Sequence, residues 1–483
     1  MDKSNNSWVK RSLASHSWLG LFVAAVMFLI CLTGSFVVLF EEFERWEQPN
    51  VEEYLNYSPE QIETAVDEFL LRVEQVPKSL YVVLPTKEVP RIHIAGDGQE
   101  WFVNRDGRLS DAPVEGWTHF LKEMHINLHL PQTFGIIVVG IFGAMLCGLI
   151  VSGIIAHPRI FKDAFIWRRN KSERLNQVDL HNRLSVWGTP FYLMIGLTGA
   201  FIGLVSIFIA ASAGVFFNND RDAVVNAVYG AEPKVNQSQQ TINYSKAFEN
   251  LQQYAPNATP IYLVIQNKGT DHQFLEVAAT LPGRFIYSEL YQLRSNGEVI
   301  SHQGMSDGAA GRQVAYSVYR LHFGHFAGFP VKVLYVALGL CLTVICASGV
   351  NIWLSRRKHQ NFINDLWVAM VWGSPLALAS SMFSIFTSVP ALAVFLVTLT
   401  LTAITALMIK NAITSKRMFQ LTTGMVLLIV ALLHWQTFGF NHPLPVVHGI
   451  NVTLVLVGLF LLWQARLSFK TSKAELVEVR SEG

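Results

Sequence analysis

Seven histidines recur at related positions along this chain, and their type and placement point to metal chemistry at the ends of apolar helices. They are His16, His125, His129, His157, His181, His322 and His325. Neutral imidazole is a good metal ligand, and a membrane histidine facing a bundle interior is a functional candidate by default. A haem of the b type needs two axial ligands from two helices at matched depth, with small residues nearby so that the ring fits. One histidine at a helix end is more often an interfacial polar residue, because an imidazole at headgroup depth costs little. Seven of them at repeat-related positions on four helices reverse that balance. A cofactor-free proton relay is the competing chemistry; the lack of Asp, Glu, Lys or Arg inside the apolar runs counts against proton-coupled transport.

The elements that must position these residues are membrane spans. The 483 residues are 51% hydrophobic and 15% charged, and the apolar residues fall in long uncharged blocks rather than amphipathic periods. From His129 to His157 a continuous helix would extend roughly 42 Å, the thickness of a bilayer with its headgroups. Charge-free runs predict eight spans: Trp18–Phe40, Leu130–Ala156, Leu184–Phe217, Val333–Leu354, Leu366–Phe386, Pro390–Ile409, Met418–Phe440 and Gly449–Ala465. The fifth and sixth are divided at Thr387-Ser-Val-Pro390. Basic residues set the orientation. Lys3, Lys10 and Arg11, then Arg159, Lys162, Arg168, Arg169, Lys171, Arg174 and Arg183, belong in the cytoplasm, as do Arg356, Arg357 and Lys358, Lys410, Lys416 and Arg417, and Arg466 and Lys470. Both termini are therefore expected inside. The net charge of +2 is spent on topology and argues for no nucleic acid. The first apolar run is too long for a signal peptide and reads as a retained anchor. Cys31, Cys147, Cys341 and Cys346 all lie in spans and form no CxxC, so neither a disulfide framework nor a thiol redox pair is indicated.

The chain is internally duplicated. His16 is followed 18 residues later by Gly34 in Leu32-Thr-Gly-Ser-Phe36, and His181 18 residues later by Gly199 in Leu197-Thr-Gly-Ala-Phe201. Likewise Met124-His125 with His129 leads to Ser152-Gly153, and Leu321-His322 with His325 leads to Ser348-Gly349; His129 and His325 each precede the glycine by 24 residues. Between the paired helices lie two similar outer lobes. One has a helix-like run 59–76 and strand-like 79–84, 91–95 and 100–104, with a turn at Asp106-Gly107. The other has 244–254, then 261–266, 274–279 and 286–294, with Asn296-Gly297. The expected fold is a polytopic α-helical membrane protein of about eight transmembrane helices with two small α+β lobes outside the membrane. Its divisions are 1–40, lobe one at 41–123, the second and third spans with their basic loop at 124–217, lobe two at 218–320, the fourth span at 321–360, and an appended four-helix unit at 361–483.

Helix, lobe, helix, carrying His16…Leu-Thr-Gly34 and Met-His125…Ser-Gly153 and then repeated, resembles the PepSY-associated transmembrane family of iron-regulated inner-membrane proteins, which includes ferrisiderophore reductases. The resemblance covers about residues 10–360, with Ser152-Gly-Ile-Ile-Ala-His-Pro-Arg-Ile-Phe-Lys-Asp163 and Asp179-Leu-His181-Asn especially like one branch. It implies PepSY-like lobes in the periplasm and a haem-containing reductase of the bacterial inner membrane. The acceptor would be a ferric siderophore or another periplasmic ferric compound, and the donor a quinol or a cytoplasmic reductase.

Topology then sorts the histidines by depth. His16, His157 and His181 are three candidates for the two positions of an inner haem. At the outer side His125 with His322 is the first choice, and His129 with His325 the second; the spacings i,i+4 and i,i+3 put each pair on one helix face, so one or two haem b groups are expected. Gly140, Gly143, Gly148, Gly153, Gly339 and Gly349 allow close approach. The Leu-Thr-Gly pattern itself reads as helix packing. His434, His442 and His448 read as interface residues, Trp8, Trp18 and Trp46 as interfacial anchors, and Glu41, Glu42, Glu44 and Glu47 as a solvated helix face or a site where iron is met. No GxGxxG or P-loop occurs, so no nucleotide site is supported. Two other functions compete: a membrane-anchored PepSY module that binds or regulates peptidases, and a permease, which needs a polar site at midplane.

Overall fold

The computed structural model describes residues 3–165, 172–237, 241–306 and 308–481. Arg168, Arg169 and Lys171 of the basic loop lie outside them. The chain begins with α1 (Lys3–Val37) and α2 (Phe40–Glu47), then α3 (Pro59–Arg72), strands β1 (Ser79–Val83), β2 (Ile92–Gly96) and β3 (Gln99–Val103), and α4 (Trp117–Ile126). It continues through α5 (Gln132–Ala156), the single turn α6 (Ile160–Asp163) and α7 (Glu173–Phe216). Next come α8 (Arg221–Tyr229), α9 (Tyr244–Tyr254), β4 (Thr259–Gln266), β5 (Phe274–Thr280), β6 (Glu289–Leu293), β7 (Val299–Gln303) and α10 (Ala310–Phe323). The last elements are α11 (Phe329–Leu354), α12 (Phe362–Val368), α13 (Ser374–Ser381), α14 (Ala391–Ile409), α15 (Ala412–Phe438) and α16 (Pro445–Ser481).

Among the described residues eight helical segments are long and apolar enough to cross a membrane, one for each expected span. The fifth, Phe362–Phe386, is interrupted: Pro375 has no N–H to give back to Val371, and the turn Ala369–Gly373 widens into a π-helix. It ends before Thr387, and Pro390 caps α14, where the sequence places the division.

The structure corrects the reading of spans two and four as helices that carry their outer histidines. Asn127 ends α4, Leu128 and His129 take left-handed backbone (φ 58° and 54°), and Asn127 Oδ1 accepts the His129 N–H at 2.7 Å. Pro131 keeps Leu130 out of helical geometry, so α5 starts afresh at Gln132. In the second repeat Gly324, at φ 72°, terminates α10 before His325. His125 and His129 therefore share no helix face, and neither do His322 and His325.

The protein comprises two compact units, Met1–Pro49 with Glu115–Leu197 and Val333–Gly483, and Asn50–Val114 with Thr198–Lys332. In the second, the two α+β lobes are not separate modules. β1 pairs antiparallel with β4, Tyr81 opposite Val264, and joins them into one seven-stranded sheet ordered β3-β2-β1-β4-β5-β6-β7. Alternate residues such as Leu80, Ile94, Leu263 and Val277 are buried with Phe69 of α3 and Leu251 of α9 in one core. Ser58 and Gln61 form a reciprocal cap that starts α3. Asp97-Gly98, both at positive φ, close the β2–β3 hairpin.

In the first unit the last four spans are not an appendage. Phe28 of α1 and Trp117 and Phe120 of α4 share a core with Leu378 of α13, Phe395 of α14 and Val430 of α15. Trp46 is wholly buried rather than interfacial. Its Nε1 donates to Asn451 Oδ1 at 2.9 Å, and its ring stacks on His434 at 4.4 Å. Glu47 is neither a solvated face nor an iron contact: its buried carboxylate accepts the N–H groups of Trp117 (2.7 Å) and Thr118 (2.8 Å), capping α4.

Glu289 does comparable work in the second unit. Fully buried, it accepts from the N–H groups of Met305 (2.7 Å) and Ser306 (2.9 Å) and from His302 Nε2 (3.1 Å), fixing the segment that leads into α10. Burial pushes its carboxyl up, but these donors and the Ser306 hydroxyl outweigh burial and hold it below the ordinary carboxylate range. A carboxyl depressed on folding contributes stability above its unfolded pKa and loses it as pH falls through the folded value. Thermal melting of the purified protein should therefore weaken below about pH 4.3. Glu289→Gln should flatten that acid limb and cost about 1.5–3 kcal/mol at neutral pH; superimposable acid limbs would show that Glu289 is not the clamp.

Candidate functional site

One local arrangement recurs at three of the seven histidines, and its glycine contact at a fourth. His16 on α1 lies against Gly153 of α5, where an added Cβ would sit 3.1 Å from its Cε1; His181 on α7 lies against Gly349 of α11, where the distance would be 3.4 Å. A glycine on that helix face uncovers the carbonyl one turn earlier, at i−4. His16 Nδ1 donates to Leu149 O at 3.0 Å and His181 Nδ1 to Ile345 O at 3.2 Å. Each ring nitrogen also contacts a serine hydroxyl, Ser152 Oγ at 3.3 Å or Ser348 Oγ at 3.1 Å, and each hydroxyl donates to that same carbonyl. Because a carbonyl only accepts, the proton must be on Nδ1 and the lone pair on Nε2, the metal-binding form of the ring.

The two rings stand edge-on to one another, centroids 6.3 Å apart and planes 83° to each other. Neither Nε2 has a hydrogen bond among the described residues. Both rings line a cavity of about 450 Å³, in the range of cofactor sites. Its walls are mostly apolar, including Val23, Met27, Leu146 and Leu342, with Gly20, Gly153 and Gly349 among them.

His125 on α4 repeats the arrangement with Gly34 of α1. Its Nδ1 donates to Ile30 O at 3.0 Å, again four residues before the glycine, and a Cβ at Gly34 would fall 2.5 Å from His125 Cε1. In the other unit, His322 Cε1 would be 3.1 Å from a Cβ on Gly199, and its Nδ1 is 2.9 Å from Thr198 Oγ1. The Leu-Thr-Gly glycines, read from the sequence as packing residues, thus receive histidines. The signal was present in their constant distance from His16 and His181, but the residue packed on each glycine was not.

The remaining histidines are differently engaged. His129 Nε2 donates to Phe120 O at 3.0 Å, and the ring stacks on Phe120. His325, past the end of α10, gives its N–H to Arg320 O at 3.1 Å, and its ring lies 5.8 Å from that of Phe323. His157, at the end of α5, lines the cavity with Nε2 3.4 Å from Asp163 Oδ2. Both ring nitrogens of His434 are used, by Trp46 O and Asn451 Nδ2, and both of His448, by His442 O and Trp435 Nε1. Among the described residues no three His, Cys, Asp or Glu side chains converge, so the arrangement offers paired ligands rather than a closed metal cage.

The pattern of the PepSY-associated TM region matches residues 13–356, which takes in all seven histidines and both lobes and stops before α12. The uncharacterized protein PA4219 of Pseudomonas aeruginosa is 25% identical over 250 residues, an alignment covering 49% of this chain; the chain spans 64% of the length of that curated relative. With eight apolar helices and an antiparallel sheet built from two α+β lobes, this multi-pass membrane protein belongs to the PepSY-associated transmembrane family.

Proposed function

We propose that the chain is an electron-transfer protein of a bacterial inner membrane that holds b-type haem and reduces a periplasmic ferric acceptor, a ferric siderophore first of all. The observation that carries this reading is the His16–His181 pair. Their ring centroids lie 6.3 Å apart beside one cavity, so these two imidazoles would hold a haem iron between them. A haem held there supplies a one-electron Fe(III)/Fe(II) couple.

The chain's own residues perform the rest. Leu149 O and Ile345 O fix the tautomer and plane of each ligand and raise its basicity. Leu146, Met27 and Leu342 keep water from the ring. His125 and His322 are the outer candidates that the repeat supplies, each against a glycine within its own unit. The basic residues near the span ends favour both termini in the cytoplasm, with the lobes outside to meet the acceptor. Reduction to the ferrous state loosens iron from hard oxygen ligands, which is how one electron frees it from a siderophore. The donor is a quinol or a cytoplasmic reductase.

Protein purified in detergent from haem-replete cells should show the sharp α and Soret bands of six-coordinate b haem in a dithionite-reduced minus oxidised spectrum. His16→Ala and His181→Ala should each remove the same fraction of the signal, which His157→Ala retains; His125→Ala or His322→Ala should remove the other fraction. A colourless wild-type protein would overturn the proposal and favour a PepSY binding module. The glycines should grade in order of crowding. Gly34→Ala, whose Cβ would fall 2.5 Å from the His125 ring, should mimic His125→Ala, whereas Gly349→Ala, at 3.4 Å, should leave the spectrum nearly intact. Equal spectra for these two variants would refute the cradle.

A further inference from the structure

Among the described residues, the Lys, Arg, Asp and Glu side chains around the cavity beside His16 and His181 are confined to one end. Along α1 and α5 its lining runs from Met27 and Leu146, deep in the bundle, to Leu13, Ala156 and His157 at the end where α1 begins. At that same end lies Arg356, just past the end of α11. Among the described residues Arg356 is the only Lys or Arg lining the cavity, and no Asp or Glu lines it. Its neighbour Arg357 is turned elsewhere, its guanidinium 5.1 Å from the Trp353 ring and bonded to Asn361 Oδ1 at 3.1 Å. A cation after a helix C-terminus is ordinarily explained by the helix dipole. That account fits both arginines equally and does not explain why one of them lines an apolar cavity.

We infer that Arg356 is a positioning residue that sets the orientation of an amphiphilic, planar ligand, taking its anionic edge at the mouth while the apolar edge enters between Met27 and Leu146. The inference rests on the haem reading of the His16–His181 pair and adds which way round the ring would enter, with the edge that carries its carboxylates toward Arg356. The guanidinium is solvent-exposed, so its pull on a carboxylate is partly screened, and the expected contribution is about tenfold in affinity rather than a hundredfold.

The test compares haemin with haemin dimethyl ester, whose carboxylates are masked. Each would be titrated into full-length protein purified from haem-deficient cells, with Soret absorbance read as the part of the signal that His16→Ala abolishes. Wild-type protein should bind haemin about tenfold more tightly than the ester. Arg356→Gln should weaken haemin binding and shrink the preference to within about twofold, and Arg356→Lys should keep most of it. Equal wild-type affinities for the two porphyrins would overturn the inference without any variant. An undiminished preference in Arg356→Gln would do so as well. Failure of both porphyrins to give a six-coordinate spectrum at this site would instead remove the haem reading on which it rests.

Discussion

The histidine chemistry proposed for this protein depends on one repeated contact, in which a glycine one turn after a helix carbonyl leaves room for an imidazole to reach that carbonyl's second lone pair. Each carbonyl has two lone pairs, and the helix uses one. Glycine at 153, 349 and 34 clears the approach to the other at Leu149, Ile345 and Ile30. An imidazole N–H buried without an acceptor would cost about 1–3 kcal/mol. The glycine thus does more than let helices pack closely: it decides which ring nitrogen keeps its proton.

That contact explains why α4 is a separate element. A histidine carried on α5 itself would leave along the axis of α5, but ending the helix at Asn127 lets α4 lie along α1 and bring His125 to Ile30. A ten-residue helix in such a place needs support from elsewhere in the chain. Glu47 caps its first turn, Trp117 Nε1 donates to Ser381 Oγ at 3.0 Å, and Phe120 packs 5.5 Å from Phe395. Two of these three supports come from the C-terminal spans. The helices beyond the family match form the wall against which the histidine-bearing helix rests.

The spans were legible because an uncharged run of 20 residues has few other uses, and the repeat because its His-to-Gly distances are constant. The same residues misled where continuity was assumed: from Met124 to Ala156 the chain is almost uncharged, and hydropathy cannot register that Leu128 and His129 turn left-handed. The stop signals were nonetheless there, in Pro131 and in Gly324. Trp46 was misplaced for a different reason. An indole just outside a span suits an interface by composition, and its partners, His434 and Asn451, lie nearly 400 residues away. The pairing of β1 with β4 is long-range in the same sense, and each lobe taken alone carries a complete hairpin pattern that gives no hint of a shared sheet.

Along α1, His16 and the Gly34 that receives His125 are 18 residues apart, about 27 Å at the helical rise. The hydrocarbon core of a bilayer is about 30 Å thick. The two histidine levels of this unit are therefore set about as far apart as the two edges of the hydrocarbon, where a polar ring is least costly. Between them α1 runs from Trp18 to Ile30 without a polar side chain, and Val23, Met27, Leu146, Tyr192 and Leu342 close the interior. A carrier of polar solutes requires the reverse distribution, with its polar groups near midplane and the apolar barriers to either side. For the electron carrier proposed above, an apolar stretch between two histidine levels is no obstacle, since an electron needs no hydration shell to cross.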